Sequence, residues 1–294
     1  MPGTKEIKRR VRSVNSTKKI TRAMQMVSAV KMRKAQSAVL SSRAYSNLAW
    51  QIVTDLADRV DPKYHALLGQ PEKSNKKVGI ILITTNRGLV GAFNANLIAA
   101  VHQFIRDNNL QADVLAELIA VGRKGKEAMV RVGRTVVAEF PKIDRNIRIE
   151  EIFPLSKMAV EEYLKGKYSR IIVAYTHFIS TIKQQPVIKQ ILPLKQDGAA
   201  EHLPDHLKNF SYEYLFEPDP NAVLDYLLPR IIDAQIYQAV LENDAAEHSA
   251  RMVMMKNATD AATELIQDLT LTFNQLRQAN ITKELAEIIA GMGK

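Results

Sequence analysis

The residues best suited to chemistry lie in glycine-bearing turns near the middle of the chain. Residues 86–91 (NRGLVG) and 122–125 (GRKG) each follow an apolar run, and such a turn can hold phosphate on its backbone N–H groups. Neither turn contains the GxGxxG of a dinucleotide fold or the GxxxxGK[ST] of a P-loop, and no Ser or Thr follows the second turn to hold magnesium. We therefore favour tight turns that close a structural sheet, with nucleotide binding as the alternative.

Histidine and cysteine usage argues against a metal centre or thiol chemistry. His202 and His206 have the closest histidine spacing, but they flank Pro204 in a loop-like stretch and make a poor metal site. The absence of cysteine excludes disulfides and thiolate chemistry and fits a reducing cytoplasm. No carboxylate pair or nucleophile–base set stands out. The sequence therefore predicts no catalytic residue, no metal and no cofactor.

Charge and helix breakers divide the chain into three parts. The first 54 residues contain twelve Lys or Arg and one acid, Glu6, so this end carries +11 while the other 240 residues carry −1. Residues 4–61 and 230–290 contain neither glycine nor proline, and nineteen of the 23 such residues lie between Pro62 and Pro229. Two long helical arms are therefore predicted to flank a turn-rich middle.

The first arm is predicted to be one long helix with a narrow apolar stripe. Its stripe consists of Ile7, Val11 and Val14, followed by Ile20, Met24 and Val27. Fifty-eight breaker-free residues would span roughly 87 Å as one helix. A helix of that length with so narrow a stripe requires a partner helix.

The last arm is predicted to supply that partner. Its stripe consists of Ala262, Leu265, Leu269, Phe273 and Leu276, and then Ile281, Leu285, Ile288 and Met292. The five-residue gap from Leu276 to Ile281 predicts an irregular supercoil. Asp219 and Pro220 are typical of a helix start, and Pro229 is predicted to kink or divide that start. A four-helix bundle packed on the domain is the alternative to a coiled coil. We favour the coiled coil because both stripes are narrow.

The middle of the chain alternates between strand and helix patterns. Residues 78–85, 114–121 and 170–175 are apolar, β-branched runs typical of strands buried on both faces. Helical spacing occupies residues 93–108, 123–131 and 154–165. The predicted fold class is α/β: a small α/β domain with a mostly parallel sheet, plus a long antiparallel coiled coil of the terminal helices. The predicted boundaries are 1–61, 62–218 and 219–294.

A strongly basic helix is compatible with three kinds of partner. It can bind nucleic acid through phosphates, lie on an anionic membrane surface, or face acidic or polar surfaces of a protein. No aromatic residue precedes Tyr45, so base-stacking platforms are missing from this arm. The apolar stripe is better used against the C-terminal helix than against lipid, and no apolar run is long enough to span a membrane. A protein partner is favoured.

Six segments resemble the gamma subunit of F-type ATP synthases, in the same order along nearly the whole chain. Near the N-terminus they are residues 20–27 (ITRAMQMV) with 31–34 (KMRK), and near the C-terminus residues 250–260 (ARMVMMKNATD) and 281–289 (ITKELAEII). In the middle they are residues 87–91 (RGLVG), 190–194 (QILPL) and 216–219 (FEPD). The last C-terminal segment matches the family's closing pattern I-T-x-E-L-x-E-I-[IV].

The resemblance implies a central rotor shaft that transmits torque between a membrane rotor ring and a catalytic alpha/beta hexamer, and that performs no chemistry itself. It implies the alpha and beta subunits, the epsilon subunit and the ring of c subunits as partners, with no nucleic acid. It also implies a peripheral position on the cytoplasmic face of a bacterial cell membrane. The alternative is a nucleic-acid-binding coiled-coil arm on an α/β domain.

The matched motifs also imply individual contact residues. Arg277, Gln278 and Thr282 are expected to contact the catalytic beta subunit, with Met24 opposite them on the N-terminal helix. Glu217 falls where the family's foot meets the rotor ring.

Overall fold

The computed structural model describes residues 3–57, 66–69, 77–110, 115–142, 147–194 and 220–292. Its helices are α1 (Thr4–Ala57), α2 (Phe93–Asp107), α3 (Arg123–Arg131), α4 (Phe153–Leu164) and α5 (Pro220–Met292). Its strands are β1 (Val78–Ile83), β2 (Ala116–Val121), β3 (Val136–Phe140), β4 (Arg170–Phe178) and β5 (Gln184–Leu192). The chain divides into two compact units, one made of Met1–Val30 with Arg251–Lys294 and the other of Lys31–Ala250.

The second unit is built on a five-stranded sheet of order β3-β2-β1-β4-β5. The first four strands in that order run parallel, and β5 pairs antiparallel with β4 at one edge. The prediction of a mostly parallel sheet is confirmed. Strands β3 and β5 are additions that the sequence patterns did not predict.

Both faces of the central strand are buried, as its continuous apolar run predicts. Ile80 and Leu82 face one core, with α2 and Met129 of α3. Ile81 and Ile83 face the other core, with α4 and the first turns of α5. This three-layer arrangement covers both sides of a parallel sheet, which is the usual requirement for such sheets.

The first unit is an antiparallel coiled coil of α1 and α5, which confirms the predicted pairing of the chain ends. The inward positions of α1 follow steps of four and three through Ile7, Val11, Val14, Lys18, Thr21, Gln25 and Ser28. Those of α5 follow Met255, Thr259, Ala262, Ile266, Leu269, Phe273 and Leu276 in the same steps. An average step of 3.5 residues is the period of a left-handed supercoil.

The predicted apolar stripes are wrong at several positions. The inward-facing positions, which form the seam of the coil, keep the 3.5-residue period, and some of the residues at these positions are polar. Val27 and Leu265 are 57% and 47% exposed, and Ile20 is exposed as well, while Thr21 and Ser28 face inward. The hydroxyl oxygens of Thr21 and Thr259 lie 2.8 Å apart across the coil. Each hydroxyl also has a carbonyl acceptor in its own helix, that of Lys18 for Thr21 and that of Met255 for Thr259, so either hydroxyl can donate across the coil.

The coil ends earlier on α5 than the sequence predicts. With Thr21 opposite Thr259, Thr4 at the start of α1 lies level with Leu276, because both are seventeen residues further toward the same end. Ile281, Leu285 and Ile288 are therefore exposed on a single helix and are not coil positions. The gap after Leu276 marks the end of the pairing, so the expected irregular supercoil is not required.

Helix α5 also runs through Pro229 without a break, so this proline does not divide the helix. Proline removes one backbone hydrogen bond but already has a helical φ. The predicted domain boundaries stay a prediction, because residues 58–65 and 195–219 lie outside the described residues. None of the described helices is both long and apolar enough to cross a membrane.

Candidate functional site

In an open sheet of this strand order, ligands usually bind at the carboxyl ends of β1 and β4, where the order reverses. Here that crevice is filled by the two long helices. A buried apolar cluster joins Val90, Phe93 and Phe178 from the sheet side with Ala35, Val39, Leu241, Ala245, Ala246 and Ala250 from α1 and α5. The part of the sheet that would hold a nucleotide in other doubly wound folds therefore holds helices.

The second glycine-bearing turn, residues 122–125, packs against Thr84, the residue that follows β1. The Thr84 hydroxyl accepts the N–H of Gly125 at 2.8 Å, and a Cβ at Gly125 would lie 2.7 Å from the same oxygen. Gly122 has φ +94°, and an added Cβ would lie 2.4 Å from the Thr84 carbonyl oxygen. Since the N–H of Gly125 in the first turn of α3 is already bound, the structure favours the interpretation of closing turns.

The first glycine-bearing turn, residues 86–91, is also held by hydrogen bonds within the domain. The amide of Asn94 accepts the Thr85 N–H at 3.2 Å and donates to the Thr85 hydroxyl at 2.8 Å. The Asn86 side chain donates to the carbonyl of Lys142 at 2.7 Å. These bonds link the chain after β1 to α2 and to the chain after β3.

The α5 segment in this crevice, residues 241–250, carries a group of buried polar side chains, and we call it the docking segment. Glu242 receives the Arg43 guanidinium of α1 at 3.2 Å and the Gln238 amide at 2.9 Å, and it contacts the imidazole Nδ1 of His177 on β4. Burial raises the pKa of Glu242, but hydrogen bonds from His177 and Gln238 outweigh burial and hold this pKa below its ordinary value. The carboxylate therefore joins α1, α5 and the sheet.

Lys142, two residues after β3, forms the second buried ion cluster of the docking segment. Its ammonium group lies 3.2 Å from Asp244 and contacts Glu247 directly. Burial lowers the pKa of Lys142, but the two carboxylates outweigh burial and raise this pKa above its ordinary value. Lys142 therefore remains charged inside the protein.

Three of the predicted contact residues lie on the part of α5 that extends past its pairing with α1. Arg277 is exposed and lines a surface cleft of about 340 Å³ with Lys5, Lys8 and Glu284. Gln278 and Thr282 are also exposed, and the Thr282 hydroxyl donates to the Gln278 carbonyl at 3.0 Å. All three side chains can be reached by another protein.

The structure does not place Met24 opposite these three residues. In the register fixed by Thr21 and Thr259, Met24 lies level with Lys256, twenty-one residues before Arg277. That separation corresponds to roughly 31 Å along the helix. Glu217 and the histidines at 202 and 206 lie outside the described residues. Whether the four described residues contact a partner stays a prediction.

The burial of the polar residues in the docking segment was not predicted from the sequence. Its charged residues look like an ordinary solvated helix face, and Lys142 looks like a surface loop lysine. One available signal was the sequence ENDAAEHSA at 242–250, where small residues and polar residues occur on every side of a breaker-free helix. A helix that is polar on all sides yet alanine-rich is suited to close packing against polar partners.

Comparisons with known proteins extend over the whole chain. The family described as ATP synthase matches residues 3–293. The ATP synthase gamma chain of Roseiflexus sp. (strain RS-1) is 42% identical over 292 residues, which cover 99% of this chain and 98% of the relative. The ATP synthase gamma chain of Variovorax paradoxus (strain S110) is 41% identical with the same coverage.

Solved structures share the fold at lower identity. A chain of the Euglena gracilis mitochondrial ATP synthase (OSCP/F1/c-ring, rotational state 3) has a TM-score of 0.65 at 20% identity, covering 99% of this chain and 93% of that one. A chain of the Tetrahymena thermophila mitochondrial ATP synthase central stalk and c-ring has a TM-score of 0.61 at 22% identity, covering 81% of this chain and 99% of that one.

Two long antiparallel helices from the chain ends, together with an α/β domain that holds helices in its ligand crevice, define the fold class of ATP synthase central stalks. Within that class, the sequence identity to full-length relatives shows the family. The chain belongs to the ATP synthase gamma chain family. Nothing in these comparisons supports the nucleic-acid-binding alternative.

Proposed function

We propose that this chain is the central rotor shaft of a proton-translocating F-type ATP synthase and carries torque between a membrane rotor ring and a catalytic head. The observation that carries the proposal is the match to gamma chains along 99% of the sequence. The structure fits the role in physical terms. A shaft must resist bending and separation, and both helices of this coil are long and belong to one polypeptide.

The proposed mechanism contains no reaction step on this chain. The shaft contacts catalytic sites on neighbouring subunits, and each site's affinity for nucleotide changes with the angle of the shaft. This is a population shift produced by differential contact, because a rotor that touched every site equally would shift nothing.

The proposed partners are the alpha and beta subunits of the head, the epsilon subunit and the ring of c subunits. The exposed cations of α1 are suited to acidic or polar surfaces on such partners. Arg277, Gln278, Thr282 and Met24 are proposed contacts with the beta subunit, at two levels of the coil, and Glu217 is the proposed contact with the ring. We place the complex on the cytoplasmic face of a bacterial cell membrane, because the relatives named above are bacterial gamma chains.

We further propose that the chain is a non-catalytic subunit. The glycine-bearing turns are closed by internal hydrogen bonds, and the crevice beside them holds α1 and α5. The purified chain is expected to hydrolyse ATP no faster than a heat-inactivated sample. Turnover by the chain alone above that control would contradict this assignment.

The proposed function is tested by assembly. The purified chain is mixed with alpha and beta subunits, and the mixture is separated by size at physiological salt. A stable complex that contains all three is the expected result. Failure to bind these subunits, combined with salt-sensitive binding to random RNA or DNA, would favour the nucleic-acid alternative instead.

A further inference from the structure

The docking segment concentrates buried polar side chains in a way that apolar packing does not require. Glu242, Asn243, Glu247 and Ser249 are all less than 5% exposed, within little more than two helical turns. Each side chain in such a position needs a partner, because an unpaired buried polar group is costly. The partners come from separate elements of the second unit.

Two further contacts add to those of Glu242 and Lys142. The side-chain oxygen of Asn243 accepts the backbone N–H of Thr176 on β4 at 3.3 Å. The hydroxyl of Ser249 donates to the carbonyl of Thr181, in the turn between β4 and β5, at 2.6 Å. The docking segment is therefore bound to β4, to the turn after β4, to the chain after β3 and to α1.

These contacts spread over about 220° of the helix circumference. At about 100° per residue, Glu242, Asn243, Asp244, Glu247 and Ser249 leave the helix axis at about 0°, 100°, 200°, 140° and 340°. The apolar contacts of the same segment come mainly from alanines, which have short and smooth side chains. Dispersion and hydrophobic contacts are non-directional, whereas charge-assisted hydrogen bonds resist displacement in a defined direction.

We propose that the docking segment is a torsional clamp, in which Lys142, with Asp244 and Glu247, and Glu242, with Arg43 and His177, prevent α5 from turning about its own axis against the sheet. These are positioning residues: they act on torque transfer through the helix and contact no nucleotide. The inference rests on the proposed rotor function and specifies where load passes between the α/β domain and the helices.

The test replaces the clamp ions with apolar groups of similar size. In Lys142→Met/Glu247→Leu the ion pair is lost, while Asp244 keeps His248 at 3.6 Å. Such paired replacements of buried ions are often neutral for stability, unlike removal of one partner. The control is Lys126→Met/Glu139→Leu, which removes a 2.5 Å ion pair between α3 and β3 of the same domain.

The measurement is the thermal angular variance of a bead on the assembled complex with its catalytic head fixed to a surface. The chain has no cysteine, so Ile182→Cys, at a position 87% exposed between β4 and β5, gives a single attachment site. Because the variant replaces directional, charge-assisted hydrogen bonds with non-directional apolar contacts, we expect it to increase the angular variance, on the order of twofold. The control pair should leave the variance unchanged, and both variants should melt within a few degrees of the parent.

Equal variance in the clamp variant and the parent would overturn the clamp. If the paired variant does not fold, Ser249→Ala removes the hydroxyl with its contacts to Thr181 and Gln184 and should still raise the variance; no rise there would also overturn the inference. A parent chain that does not assemble with the head contradicts the proposed function, and the clamp fails with it.

Discussion

Val27 and Ser28 are adjacent on α1 and have opposite environments, with exposed fractions of 57% and 3%. The polar residue is inside and the apolar residue is outside, because the coil keeps its 3.5-residue period through Thr21, Gln25 and Ser28. Hydrophobicity alone places the seam at the wrong residue here. Side-chain size explains the exception, since small hydroxyl side chains allow close approach of the two helices.

Aspartate scanning at these neighbours tests the seam. Ser28→Asp introduces a buried charge without an opposite charge to pair with, and should reduce the free energy of unfolding by about 3 kcal/mol or more. Val27→Asp should change it by no more than about 0.5 kcal/mol, because the side chain is exposed. Chemical unfolding of the two variants measures both. A larger loss for Val27→Asp than for Ser28→Asp would show that the seam is one residue out of phase.

Glu242 gives the fold a pH dependence whose sign follows from its lowered pKa. Its stabilising contribution is present above the ordinary carboxyl value of 4.5 and is lost as the pH falls through the lower value of the folded state. Glu242→Gln should therefore be less stable than the parent at pH 7, by about 1–3 kcal/mol. The difference should shrink as the pH falls below 4.5.

The control for this measurement is Glu161→Gln, because Glu161 is an exposed carboxylate 3.8 Å from Lys157. Its stability should follow that of the parent at every pH. A difference between Glu242→Gln and the parent that grows toward acid pH would contradict the assigned direction of the pKa shift.

At the scale of elements, α5 past Leu276 is a single helix with exposed polar and apolar side chains. Replacing Arg277 and Gln278 with Ala should leave the isolated chain folded, because both side chains are exposed. In the assembled complex the same variant should weaken coupled ATP hydrolysis or synthesis, since Arg can hold a partner carboxylate through two hydrogen bonds.

The matched control for that variant is Lys283→Ala/Glu287→Ala, which removes an exposed ion pair from the same free end of α5. The control should retain coupled turnover. Turnover and proton pumping that are unchanged in the Arg277→Ala/Gln278→Ala variant would contradict a beta-subunit contact at these residues.

The elements that sequence patterns predict best are those with one clear physical cause. The helical stretch predicted near residues 123–131 agrees with α3, and Gly122, which has a positive φ, directly precedes this helix. The strand predicted at residues 78–85 matches β1, since burial on both faces requires a continuous apolar run. Both long helices are predicted from the absence of breakers.

The elements that the patterns miss lie at the sheet edges and in the docking segment. Strand β3 alternates between partly buried and exposed residues, and β5 contains Pro186 and several polar residues, as edge strands tolerate. Lys142 and Glu247 are far apart in the chain, so their pairing depends on the tertiary fold. Buried ion pairs of this kind have no local sequence pattern.

In the whole molecule, the basic charge and the buried polar groups lie in different parts of the chain. The basic excess lies in the first 54 residues, and the described part of the α/β domain uses its polar groups to hold helices. Such a chain is suited to bind partners and transmit force between them. In the proposed function the role of the chain is mechanical, and the reaction takes place on other subunits.

Rotation of the chain inside the assembled head is the direct test of the rotor function. A bead on Ile182→Cys is observed while the alpha and beta subunits are fixed to a surface and ATP is supplied. We predict sustained rotation in one direction that stops when ATP is removed. ATP hydrolysis by the same complexes with a bead that remains stationary would contradict the rotor function.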